Sequence, residues 1–192
     1  MSTRLPSTAY TAQPWRLHRI APDFQVEDVW ELSTPGGPDD LARLVEQFAN
    51  GSGEALSAPV PRFLFAVRWK LGKLLGWDGS GAQGPLPTLR DRLPADLSEG
   101  PRGPDLRAVP LTSVYLTHDE WVTELANRTV QAAMHIGWVP DGSGGYGARM
   151  TVLVKPNGRF GVLYMAAIRP FRYLGVYPAM LRAIGRSWQT AN

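Results

Sequence analysis

The chain has 192 residues, with 20 Lys and Arg against 17 Asp and Glu, and it contains no cysteine. A net charge of +3 is too small to argue for nucleic acid as a partner. The absence of cysteine excludes disulfides, thiolate nucleophiles and thiolate metal sites. No run approaches the roughly 18 apolar residues that a membrane span needs, and the N-terminus has no apolar signal core. The expectation is a soluble, cytoplasmic protein forming a single domain over residues 1–192. The 20 Gly and 17 Pro point to extensive loops within it.

In chain order, residues 1–12 are polar and read as a loose arm. The stretch PWRLHRI (14–20) alternates in the manner of a short strand, and VEDVWEL (26–32) suits a turn of helix that Asp23 could cap. After the loop STPGGPDDL, residues Leu41, Leu44, Val45 and Phe48 repeat at i, i+3, i+4, i+7 and predict a helix ending near Asn50 and Gly51. A second helix is predicted from Pro61 to about Gly76. It mixes Arg62, Arg68, Lys70 and Lys73 with Phe65 and Trp69. Such a helix fits either a second packing face or a contact with a membrane surface. Residues 79–110 form a long Gly/Pro-rich loop broken only by TLRDRL, the length of a lid or binding loop.

The last third is an antiparallel meander. SVYLT, WVTEL and TVQAAMHIGWV follow one another across short turns, DGSGGYG turns into MTVLVK, and Asn157-Gly158 signals a hairpin into FGVLYMAAI. Side chains alternate faces along a strand. Even positions collect Met134, Ile136, Trp138, Met150, Val152 and Tyr164, while odd positions collect Gln131, His135, Arg149, Thr151 and Lys155. One buried and one wetter face is the antiparallel expectation. The C-terminal stretch supplies a matching amphipathic helix through Met180, Leu181, Ile184 and Trp188. It has a short first turn and runs on from Pro178 to Gln189. The fold class is therefore α+β, an antiparallel sheet wrapped around a long C-terminal helix.

Chemistry is sparse in this pattern. His18, His118 and His135 lack ligand spacing to one another, and the parity of His135 with Gln131 and Lys155 turns it toward water. Glu120 and Glu124 near Tyr115 could form an acid–base set inside a cavity, although their strand has ambiguous parity and exposed edge carboxylates are the ordinary reading. No nucleophile elbow, phosphate loop or dinucleotide fingerprint is present, so no catalytic residue, cofactor or metal is assigned. After Asp141 there are seven Lys or Arg and no carboxylate. These cations either pair with upstream acids or form a basic surface.

The segments DFQVEDVWELSTPGGPDDLARLV, RWKLGKLLGWD, PTLRDRLPADL, ANRTVQAAMHIGWVPDG, VLVKPNGRFG and YMAAIRPFRYLGVYPAMLRAIGR together resemble an uncharacterised bacterial family, the domain of unknown function 2867. The resemblance covers nearly the whole chain and implies no activity or catalytic residue. The order of elements also resembles the START-like (SRPBCC) helix-grip superfamily of lipid and hormone binders, cyclases and stress proteins, which implies a ligand cavity. The leading expectation is a non-catalytic domain that binds an apolar or aromatic small molecule between sheet and C-terminal helix. Met134, Trp138, Met150, Tyr164, Met180 and Trp188 would line the cavity. A solid core built from the same residues is the competing packing. Two other function classes stay open, an enzyme of the cyclase or dehydratase type and an interaction protein using the basic 62–73 helix.

Overall fold

A computed structural model describes residues 2–56, 87–106, 111–126, 130–158 and 177–190. Six strands form one antiparallel sheet: β1 Thr3–Leu5, β2 Gln25–Glu31, β3 Thr112–Leu116, β4 Glu120–Ala126, β5 Val130–Pro140 and β6 Tyr146–Pro156. Their order in space is β1-β2-β6-β5-β4-β3. The meander β3 to β6 follows the expected up-and-down course. The β5–β6 turn is set by Asp141, whose Oδ1 accepts the N–H groups of Ser143 and Gly145 at 2.8 and 3.0 Å. Gly142 and Gly144 supply the positive φ angles that the turn requires, 81° and 94°.

The even-numbered face carries two helices, α3 (Leu41–Leu56) and α5 (Tyr177–Thr190). Leu41, Leu44, Val45 and Phe48 are all buried, as their helical spacing predicts, and α3 begins directly after Asp40. These residues join Trp121, Met134, Ile136, Trp138, Met150, Leu181 and Trp188 in one core cluster, with Ile184 packed against it. The sheet therefore does not wrap around one long C-terminal helix. α5 has 14 residues and α3 has 16, and because both present an apolar stripe they share the face.

The odd-numbered face departs most from expectation. It is buried by two polar-looking pieces of chain. Residues 3–20, expected as a loose arm and a short strand, form β1 and two single-turn helices, α1 (Thr8–Thr11) and α2 (Leu17–Ile20). Tyr10, Trp15, Leu17 and Ile20 are buried there against Val29, Val122, Ala133, Val139 and Leu153. From the long loop, Leu89 and Leu97 join the same cluster, held on a 3-10 turn (Arg90–Arg92) and a single turn of helix, α4 (Ala95–Ser98). Residues 25–31, expected as helix, are strand β2. Its register on β6 shifts between Val26 and Asp28. The predicted 61–76 helix, Tyr164 and the strand after Gly158 lie outside the described residues. No helix among the described residues is long and apolar enough to cross a membrane.

Candidate functional site

The residues expected to line a cavity divide as follows. Met134, Trp138, Met150 and Trp188 are brought together on the helix face, all buried. Trp138 and Trp188 meet edge to face with ring centroids 6.3 Å apart. Each indole N–H donates to the loop before α3, Trp138 to Gly37 O at 2.9 Å and Trp188 to Pro35 O at 2.8 Å. That end of the face is a packed, hydrogen-bonded aromatic pair. Met180 falls within α5, but its side chain, like Tyr164, lies outside the described residues. Elsewhere on the helix face, Gln47 Oε1 and Thr123 Oγ1 are buried without a hydrogen-bond partner. Thr123 stands opposite Met134 in the β4–β5 register.

The acid–base groups gather on the other face. Cross-strand register places Tyr115 beside Val122, Val122 beside His135, and Glu120 beside Gly137. A register shift in β3 between Ser113 and Tyr115 turns Tyr115 to this side. Glu120 is fully buried, yet all its lone pairs point at donors. Oε1 accepts the Arg16 main-chain N–H at 2.8 Å and Arg16 Nη1 at 3.0 Å. Oε2 accepts the Tyr115 hydroxyl at 3.0 Å and lies 3.3 Å from His135 Nε2. Arg16 also bonds Asp119 at 2.8 Å, which clamps the N-terminal segment onto the start of β4.

Burial alone would raise the Glu120 carboxyl. The His135 hydrogen bond and charge, and the Arg16 donors, outweigh it and hold the group at about 2. Burial pushes His135 below its ordinary range, against the opposing pull of Glu120. At pH 7 the carboxylate is ionised and the buried imidazole neutral; the His135 charge acts on Glu120 only once the imidazole is protonated in acid. Burial first, then the Glu120 charge, drives the phenols of Tyr115 and Tyr10 upward, so both remain hydrogen-bond donors.

Around His135 the bonding is incomplete. Tyr10 packs against its ring at 5.3 Å and Trp15 at 4.8 Å between centroids. The Trp15 ring lies so close over Gly137 that an added Cβ would sit 2.5 Å from it, which is why a glycine interrupts this strand. His135 Nδ1, Tyr10 Oη, Trp15 Nε1 and Arg149 Nε are all buried without a hydrogen-bond partner. Each such atom costs about 1–3 kcal/mol unless something pairs with it. Among the described residues no group of three or more His, Asp or Glu could hold a metal ion.

The expectation that His135 faces water is therefore overturned. Its parity with Gln131 and Lys155 holds, but the N-terminal segment closes over that face. The one trace in the sequence is the presence of Tyr10, Trp15, Leu17 and Ile20 in an otherwise polar stretch, at no regular spacing. Glu120 near Tyr115, raised as one possibility, is part of the cluster. Glu124 is not. Its Oε2 accepts the Leu89 N–H at 2.7 Å and anchors the long loop. Of the basic C-terminal third, Lys155 pairs with Asp23 at 2.7 Å. Arg149 makes no ion pair among the described residues, although Glu31 stands opposite it.

A comparison with curated proteins finds no match. The profile of one family, described as protein of unknown function (DUF2867), matches residues 20–179. It takes in Tyr115, Glu120 and His135 but not Tyr10, Trp15 or Arg16. The chain belongs to the DUF2867 family of proteins of unknown function.

Proposed function

We propose that this protein is a non-catalytic small-molecule-binding domain of the START-like kind, holding an apolar or aromatic ligand against the helix-facing side of its sheet. The observation that carries the reading is the division of chemistry between the two faces. The helix side is aromatic and thioether surface, and its one buried charge in the described strands, Asp28, sits near the edge beside Arg4 at 3.4 Å. Surface of that kind binds apolar molecules and offers no base to transform them. Strand order supports the START-like part. β2 lies beside β6 and β3 at the far edge, so the chain joining β2 to β3 crosses the sheet, and α3 lies on that crossing. Thr123 Oγ1 and Gln47 Oε1 supply unused polar handles, and Tyr164 and Met180 would complete the lining.

The test is a thermal-shift screen of lipids, isoprenoids and aromatic polyketides, with product analysis of each hit. A bound ligand at a hundred times its dissociation constant should add about 2.7 kcal/mol. Trp138→Ala should weaken every hit, and Tyr164→Phe only the polar ones. No hit across the screen, with a solid core in an experimental structure, would end the reading. A second reading, an acid–base enzyme acting on a hydrophobic substrate, is favoured by one observation, the Glu120–His135 pair at 3.3 Å. Turnover of a hit that His135→Gln abolishes would select it.

A further inference from the structure

We propose a second binding site, independent of the helix-side one, on the opposite face of the sheet: Tyr10, Trp15 and Arg149 hold a small monoanionic carboxylate beside His135, beneath the N-terminal segment. These four residues are neighbours. Tyr10 and Trp15 both pack on the His135 ring. Trp15 covers Gly137, whose partner across the β5–β6 ladder is Arg149. Arg149 Nη1 in turn donates to the carbonyl of Ala9, next to Tyr10, at 3.4 Å. Each of the four contributes a buried polar atom that has no hydrogen-bond partner. Three of those atoms, the Tyr10 hydroxyl, the Trp15 indole N–H and the Arg149 Nε–H, are donors.

A group of donors that includes the unpaired Nε–H of a guanidinium calls for an acceptor with negative charge. Charge nearby limits how much. Glu120 is ionised and lies 3.3 Å from the far nitrogen of His135, so a monoanion suits the place better than a dianionic phosphate. Glu31, opposite Arg149 on β2, is exposed and makes no ion pair with it. The site is closed, with Tyr10, Trp15 and His135 no more than 6% exposed. A guest enters when the segment carrying β1, α1 and α2 lifts, a local opening well below global unfolding.

Acetate is the probe. Protein labelled with 15N at its indoles is titrated with sodium acetate at constant ionic strength, chloride replacing acetate. The Trp15 indole resonance, assigned by its loss in Trp15→Phe, should move saturably. Arg149→Gln should weaken acetate about ten- to a hundredfold, as loss of a charge-assisted hydrogen bond does. Arg149→Lys should retain part of the affinity, and Glu31→Gln should not weaken it. If near-ultraviolet circular dichroism shows Arg149→Gln unfolded, the wild-type titration and Glu31→Gln decide. A Trp15 resonance that acetate leaves in place, or that chloride moves equally, overturns the site and leaves its polar atoms to water. An equal response to inorganic phosphate overturns the monoanion assignment. Since Trp138 and the helix face take no part, failure here is separable from failure of the ligand screen.

Discussion

On one side of the sheet, Met134, Ile136 and Trp138 press against two amphipathic helices. On the other side, Ala133, His135 and Gly137 of the same strand lie under single-turn helices and loop. Both sides exclude water, by different physics. The helix side is closed by apolar area and by two indoles whose N–H groups find carbonyls. The N-terminal side is closed around an ionised carboxylate that joins Arg16, Tyr115 and His135 from three separate parts of the chain. Regular elements can cover a face with periodic apolar residues. A segment too short to carry such a stripe depends on a few directional bonds to hold it in place.

The largest effects should come from removing the centre of either assembly. Trp188→Ala should cost about 3–5 kcal/mol through lost transfer energy and a residual cavity. Glu120→Ala should cost a similar amount, about 3–5 kcal/mol, because it leaves the other members of a buried charged network without their acceptor. Urea denaturation measures both. A loss below 1 kcal/mol for Glu120→Ala would mean that the N-terminal side is held by packing alone, and the contrast between the faces would disappear.

How far each face was legible in the sequence follows from the same contrast. The helix face could be read because Leu41, Leu44, Val45 and Phe48 keep helical spacing, and Met134, Ile136 and Trp138 keep strand spacing. β2 was misread for a physical reason. Val26 and Val29 are three residues apart, as on a helix, yet the register shift between them brings both to one face of the strand, imitating the helical period. Tyr115 and Glu120 could not be placed because WVTEL is buried on both sides, which erases alternation. The cover over His135 was hidden because its apolar anchors are scattered through STRLPSTAYTAQPWRLHRI, where no period joins them.

A second prediction sharpens the comparison through pH. His135 is held below its unfolded value of 6.5, so the unfolded chain takes up a proton first and stability falls as pH drops below about 6.5. Glu120, at about 2 against 4.5 unfolded, contributes stability that is complete above 4.5 and is lost as pH falls toward 2. Its share is on the order of 3 kcal/mol. Denaturation midpoints from pH 8 to 3 should therefore decline in two stages. His135→Gln should flatten the upper stage, while Trp188→Ala should lower the whole curve without changing its shape. A parallel curve for His135→Gln would show that its neutral imidazole is not what burial protects.

The smallest effects test where the helix side ends. Within α5, Ile184 is half-buried against the core cluster, whereas Arg186, two residues on, is exposed. Ile184→Ala should cost about 1–2 kcal/mol, less than the roughly 2–5 kcal/mol of a fully enclosed isoleucine, because part of its surface already meets water. Arg186→Ala should stay within about 0.5 kcal/mol, since it makes no ion pair among the described residues and covers no buried group. The pair is informative because a rotation of α5 that carried Arg186 toward the sheet would take Ile184 away from it. Equal losses for the two variants in urea would place the helix in a different rotation. Trp188 could not then donate to Pro35 O, and the aromatic pair that closes this end of the face would have to be redrawn.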